Sequence, residues 1–210
     1  MRICLTDAGK RFHRDWVFRH ADLELLPGRT YALTGPNGSG KSTLLQVLGG
    51  MTALSAGRID HISGGAPLAP GDERSRISFA APYLELVEEM TGLEFLTFHG
   101  GLRPLLAGFT PERILSDVGL AAAARKQVRH YSSGMRQRLK LAQAFFSQGD
   151  VLLLDEPCTN LDRTGIDLYR RLMADRRGGR LVVVGSNDEQ EYEGCDEVLD
   201  MLRWKGARGH

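Results

Sequence analysis

The stretch Gly35-Pro-Asn-Gly-Ser-Gly-Lys-Ser-Thr43 constrains this chain more than any other. It sits between a short apolar run, residues 29–35 (RTYALTG), and a segment of helical spacing, residues 40–50 (GKSTLLQVLGG). Strand, glycine-rich turn and helix, in that order, give the pattern GxxxxGK[ST] the context it needs to carry meaning. Gly35, Gly38 and Gly40 let backbone N–H groups turn inward around phosphate oxygens, and the helix that starts there adds its positive dipole end. Lys41 can reach the β- and γ-phosphates of a nucleotide, and the Ser42 hydroxyl is placed to ligate Mg²⁺. Pro36, Asn37, Ser39 and Thr43 complete the cradle. Leu44, Leu45, Val47 and Leu48 are expected to pack inward, and the pair Gly49-Gly50 to stop the helix.

Two further runs, residues 150–157 (DVLLLDEP) and 180–187 (RLVVVGSN), are apolar on consecutive residues. That is the pattern of parallel strands covered on both faces. Residues 76–82 (RISFAAP) read as another strand, and residues 164–178 have helical spacing, which makes a βαβ unit and an α/β fold with a mainly parallel sheet. Asp155 and Glu156 stand at the end of the buried run. Two adjacent acids there are costly without a cation or hydrogen bonds. Asp155 can hold Mg²⁺ through a water, and Glu156 can polarise an attacking water. No guanine-reading NKxD sequence is present, so the nucleotide is expected to be ATP.

The remaining segments read differently. Residues 1–29 alternate with turn residues between, as an antiparallel β-layer does. Residues 83–130 have apolar residues at helical spacing and few β-branched runs, with Thr110 and Pro111 as an N-cap and first-turn proline. They read as a helical insertion. The 210 residues suit one α/β domain with such an insertion, and the formal charge of +1 argues against nucleic acid as a partner. Three scattered cysteines, Cys4, Cys158 and Cys195, suggest reduced thiols rather than a disulfide framework or zinc site. Neither a signal peptide nor an apolar run of about 20 residues is expected, so any membrane association would depend on a partner.

The stretch 131–145 (YSSGMRQRLKLAQAF) narrows the class. A serine and a glycine precede a helix rich in Arg, Gln and Lys, a short way upstream of LLLDEP. This resembles the LSGGQ signature of ABC-type ATPases, and residues 156–162 (EPCTNLD) resemble their D-loop. Four motifs in family order cover nearly the whole chain. The resemblance implies a P-loop NTPase, RecA-like core with an N-terminal antiparallel β-subdomain and an inserted helical subdomain. The corresponding boundaries are 1–82 and 131–210 for the core and 83–130 for the insertion. It also implies head-to-tail pairing with a second ABC ATPase domain, in which Ser132, Ser133 and Gly134 close on the ATP held by the partner. Lys41 and Glu156 take the catalytic roles, Ser42 and Asp155 the metal. An aromatic near the N-terminus stacks on adenine in this family, which points to Phe12, with Trp16 as the alternative.

The pattern fails at two places. Where the family has a glutamine entering the helical subdomain, this chain has Ala81-Pro82, with Tyr83 or Glu85 as the substitutes at hand. Where the family has a switch histidine, this chain has Asn187, which can donate a hydrogen bond to phosphate but carries no charge. Slow hydrolysis is the expectation. The stretches AAPYLEL and SNDEQEY resemble a subgroup of bacterial exporter-type ATPases. A lone ATPase domain in this family most often pairs with separate integral membrane subunits, which would place it on the cytoplasmic face of the cell membrane. Residues 82–94 would form the docking groove, with Glu85, Glu88, Glu89 and Glu94 for charge and Leu84, Leu86 and Phe95 for apolar contact. The alternative is a soluble, ATP-gated clamp.

Overall fold

A computed structural model describes residues 1–205. Strand β3 (Thr30–Thr34), β6 (Ile77–Ala80), β7 (Val151–Asp155), β8 (Leu181–Gly185) and β9 (Glu197–Asp200) form one parallel sheet in the order β6-β7-β8-β3-β9. Every residue of β7 and β8 is buried, as their unbroken apolar runs require. The two faces divide the residues by pleat. Val151, Leu153, Leu181 and Val183 face helix α1 (Lys41–Leu48) and the N-terminal strands. Leu152, Leu154, Val182 and Val184 face α4 (Ser133–Phe146) and α5 (Arg163–Arg176). Each such side chain contributes about 1.5–3 kcal/mol by leaving water.

A second sheet is antiparallel, in the order β2-β1-β4-β5, with β1 at Arg2–Phe12 and β2 at Asp15–Leu25. It extends beyond the expected 1–29 layer through β4 (Ala56–Ser63) and β5 (Ala66–Pro67). Its inner residues Ile3, Leu5, Ala8, Phe18 and Leu25 join the core that α1 also fills. Phosphate-loop helix and β-layer therefore share one packing unit.

Between residues 83 and 130 the chain forms α2 (Gly92–Leu102) and α3 (Pro111–Asp117). Thr91 and Glu94 make a reciprocal capping box for α2, and Thr110 caps α3 with Pro111 in its first turn. Helical spacing overstates the rest. Residues 84–90 are turns and irregular backbone, and Ala121–Ala123 and Val128–His130 are single 3-10 turns. These stretches are too short to propagate a helix, and their ends are taken by cross-links such as Val128 N–H to Met90 O at 2.9 Å. A short α6 (Glu189–Tyr192) follows β8.

His99, on α2, is half-buried and its Nε2 lies 2.7 Å from the Ser147 hydroxyl. Burial, with Arg103 nearby, pulls its pKa down to about 4 from an ordinary 6.5. The folded state therefore binds fewer protons than the unfolded chain. The stabilisation is fully present above about pH 6.5 and is lost as the pH falls toward 4. Denaturant midpoints should fall across that window, and His99→Gln should flatten that part of the profile.

Candidate functional site

The loop that leaves β3 turns on Gly35, Gly38 and Gly40, with φ of 132°, 77° and 105°. Gly40 is the N-cap of α1 in left-handed conformation, and a Cβ there would sit 2.5 Å from Val17 Cγ1. Both backbone angle and space demand glycine. Ser39 N–H donates to Pro36 O at 2.9 Å, which closes the turn. Lys41 is 5% exposed, and its ammonium donates to Gly35 O at 2.7 Å, across the loop's own mouth. Phe12, Val17, Asn37, Gly38, Ser39, Gly40, Lys41, Ser42, Thr43 and Glu156 line a single hollow of about 330 Å³. Phe12, half exposed, is in it. Trp16 is not among its lining residues; it is flanked by the guanidiniums of Arg11 and Arg19.

Asp155 ends β7, 2% exposed, beside the Ser42 hydroxyl and Lys41. Burial pushes its carboxyl pKa up, against the lowering effect of Ser42 and Lys41. Its Oδ1 is buried with no hydrogen-bond partner, and so is the Ser39 hydroxyl inside the loop. An orphaned carboxylate oxygen next to a hydroxyl is a hard-oxygen donor set that fits Mg²⁺. Glu156, one residue on, turns to φ 42° and presents its carboxylate to the hollow. Together these groups can hold a polyanion and a divalent cation beside the Glu156 carboxylate, whose Oε2 accepts from the Thr159 hydroxyl at 3.4 Å.

Asn187 braces the loop. Its Oδ1 accepts from Gly35 N–H at 3.2 Å, and its Nδ2 donates to Asn37 Oδ1 at 3.2 Å. An asparagine serves both bonds as it stands, acceptor and donor on one planar group. Of the two substitutes for the missing glutamine, Tyr83 reaches Asp155: its hydroxyl end lies against Gln46 and Asp155, and burial pushes its pKa up to about 12. Glu85 instead lines a neighbouring groove.

That groove, about 870 Å³, runs along residues 82–89 with Arg136 and Lys140 opposite. Lys140 Nζ donates to Pro82 O, and Arg136 pairs with Glu88 at 2.9 Å. Two residues expected on it are used elsewhere. Glu94 is taken by its capping box with Thr91, and Phe95 is 7% exposed in the core.

Ser132, Ser133 and Gly134 are not brought to the Lys41 hollow. Ser132 caps α4, its Oγ accepting from Met135 N–H at 3.2 Å. Ser133 lines a separate hollow with Tyr131, Arg136, Gln137, Lys140 and Asn160. A Cβ on Gly134 would meet Asn160 O at 3.1 Å, so the first turn of α4 touches the 156–162 turn. Gln137, 3% exposed, donates to Pro157 O at 2.7 Å. The sequence pattern did not mark Tyr83 alone, nor Gln137. Only a fold that sets α4 and the segment after β6 beside β7 picks them out.

The chain is similar to known proteins. The family model described as ABC transporter matches residues 18–159. The chain is 32% identical over 238 aligned positions to the daunorubicin resistance ATP-binding protein DrrA3 of Streptomyces coeruleorubidus, covering 99% of this chain and 75% of that protein. It is 36% identical over 183 residues to the uncharacterised ABC transporter ATP-binding protein all4389 of Nostoc sp., covering 84% of this chain and 54% of that one. The chain thus spans from about half to three quarters of these relatives' lengths. A solved structure of an ATP-binding subunit of an ABC transporter superposes with a TM-score of 0.81 at 23% identity, over 95% of this chain and 85% of that one, a likeness of fold.

If Asn187 braces the loop as its two bonds suggest, Asn187→Ala frees the Gly35 amide. Hydrogen exchange at Gly35 should quicken by about fivefold, as for loss of roughly 1 kcal/mol of hydrogen bonding. The exchange of β8 amides should not change.

Proposed function

This chain belongs to the ABC transporter family, and from that premise we propose that it is the ATP-hydrolysing subunit that drives a separate membrane-embedded partner. One observation carries the reading: Lys41, Ser42, Asp155 and Glu156 gather at the glycine loop while Ser133, in the first turn of α4, lines a different hollow. A site split in this way is completed by a second ATPase domain placed head to tail. The helix N-terminus at Ser132, with Ser133 and Gly134, would then meet the terminal phosphate held by the opposite copy.

In this reading each group has one role, which its position supports. Backbone N–H groups of Asn37, Gly38 and residues 40–43 hold the phosphate chain, with Lys41 neutralising its β- and γ-oxygens as its ammonium leaves Gly35 O. Phe12 offers its exposed ring to adenine. Ser42 and Asp155 would hold Mg²⁺, which supplies charge stabilisation to the phosphates. Glu156 accepts the proton of the attacking water. Tyr83 supplies the polar group that the missing glutamine would otherwise provide, at the head of the groove along residues 82–89. We assign that groove to the membrane partner; Glu85 and Glu89 on its rim, which make no ion pair among the described residues, suit a basic segment, while Glu88 is taken by Arg136. No helix among the described residues is long and apolar enough to cross a membrane; in this reading the partner supplies the membrane-embedded part.

Recovery of a multi-span protein from gently solubilised membranes, with tagged chain and Mg-ATP present, tests the partner. Recovery of the chain with soluble proteins alone would favour the ATP-gated clamp.

Glu156→Gln should lower ATP turnover by about 10²-fold or more while ATP binding persists, as expected for loss of a general base. Asn187→His should raise turnover by about tenfold, because a charge-assisted bond to the transferring phosphoryl is worth roughly twice a neutral one. Unchanged turnover in that variant would mean that Asn187 acts on the loop alone.

A further inference from the structure

Glu156 is held in a strained conformation, and the structure contains its support. A non-glycine residue at φ 42° costs about 1–3 kcal/mol and persists only where its surroundings fix it. Its own turn holds it from within, Thr159 N–H donating to Glu156 O at 3.1 Å and the Thr159 hydroxyl to Glu156 Oε2 at 3.4 Å, and three further bonds tie the turn to its surroundings. Glu156 N–H donates to Gly185 O at 2.9 Å. Pro157 O accepts from Gln137 Nε2. Cys158 N–H donates to Glu191 Oε1 at 2.6 Å.

Glu191 is the unexpected member. It is 6% exposed, on α6, and its Oε2 is buried without a partner. It is not needed as a cap, since Asp188 caps α6 by accepting from Gln190 N–H. Its own carbonyl is pinned by the buried Tyr169 hydroxyl at 2.6 Å, and its N–H donates to Asp188 O at 3.0 Å. A carboxylate placed in such surroundings is costly, and burial raises its pKa. The one backbone N–H it serves lies two residues after Glu156. Four residues before it stands Asn187, bonded to Gly35 and Asn37. A continuous covalent and hydrogen-bonded path thus runs from the phosphate loop, through residues 187–191, to the turn that carries Glu156.

We infer that Glu191 is a positioning residue for Glu156: its bond to Cys158 N–H sets the aim of the Glu156 carboxylate and ties it to the loop through Asn187. The inference rests on the reading of Glu156 as the residue that activates water. A displacement of about 1 Å at a reacting group can cost 10²-fold in rate, whereas the phosphate-binding N–H groups lie on another element and are untouched.

The test is the steady-state rate and the Mg-ATP affinity of Glu191→Ala and Glu191→Gln, alongside wild type. Glu191→Ala is expected to lower kcat at least about tenfold and to leave ATP affinity within about threefold. Glu191→Gln keeps an oxygen that accepts the same N–H and is expected to stay within about threefold of wild type in kcat. Three results overturn the inference: an alanine variant with normal kcat, a glutamine variant as slow as the alanine one, or rate and affinity falling together. Should the alanine variant not fold, Glu191→Met, of similar volume without an acceptor, replaces it in the comparison with Gln. A wild-type chain that binds ATP without turning it over would instead sink the reading of Glu156, and the inference with it.

Discussion

A carboxylate buried at the end of a buried strand is the constraint on which the rest of this structure depends. Asp155 is 2% exposed, and one of its oxygens has no partner. Leaving such a group unmatched costs a large part of a domain's net stability. Its neighbourhood is arranged around it: Ser42 and Lys41 from the start of α1, Gly185 from β8, Tyr83 from the segment after β6. Gly185 has no side chain to crowd it, since a Cβ there would lie 3.2 Å from Asp155 Oδ1. This donor set suits a hard cation, and the glycine loop beside it suits the phosphates that would bring one.

The same fold explains why the site is divided. The parallel sheet puts the ends of β3, β7 and β8 together, so the loop, Asp155 and Asn187 meet on one chain. Helix α4 lies on the opposite face of the sheet from α1, and its N-terminus opens elsewhere. The 156–162 turn spans the two. It begins at Glu156 in the hollow, passes Gln137 and Gly134 of α4, and ends at Asp162, which caps α5 and pairs with Arg138 at 3.0 Å. Contacts made at the α4 end are in bonded continuity with the carboxylate at the other.

Much of this was legible in residue order. Strands β3, β7 and β8 announce themselves because burial on both faces leaves no room for polar residues. The turn at residues 35–40 does so because three left-handed positions admit little besides glycine. Strand β4 was silent for the converse reason: it is a partly exposed antiparallel strand whose Arg58, Asp60 and His61 dilute any alternation. Spacing also promised helix over residues 84–90, where cross-links to residues 127–129 hold irregular backbone. Among site residues, Tyr83 stood beside Glu85 as an equal candidate until the third dimension placed it against Asp155. Glu191 carried no mark in the sequence, since nothing in SNDEQEY reveals which of its acids turns inward.

Equilibrium binding of ATP to the purified chain, measured once with Mg²⁺ and once with a chelator, tests the central claim most directly. The account predicts one ATP per chain, bound more tightly with Mg²⁺, with the Mg²⁺-dependent gain lost when Asp155 is replaced by alanine. Binding indifferent to Mg²⁺, or undiminished in the Asp155→Ala variant, would contradict it.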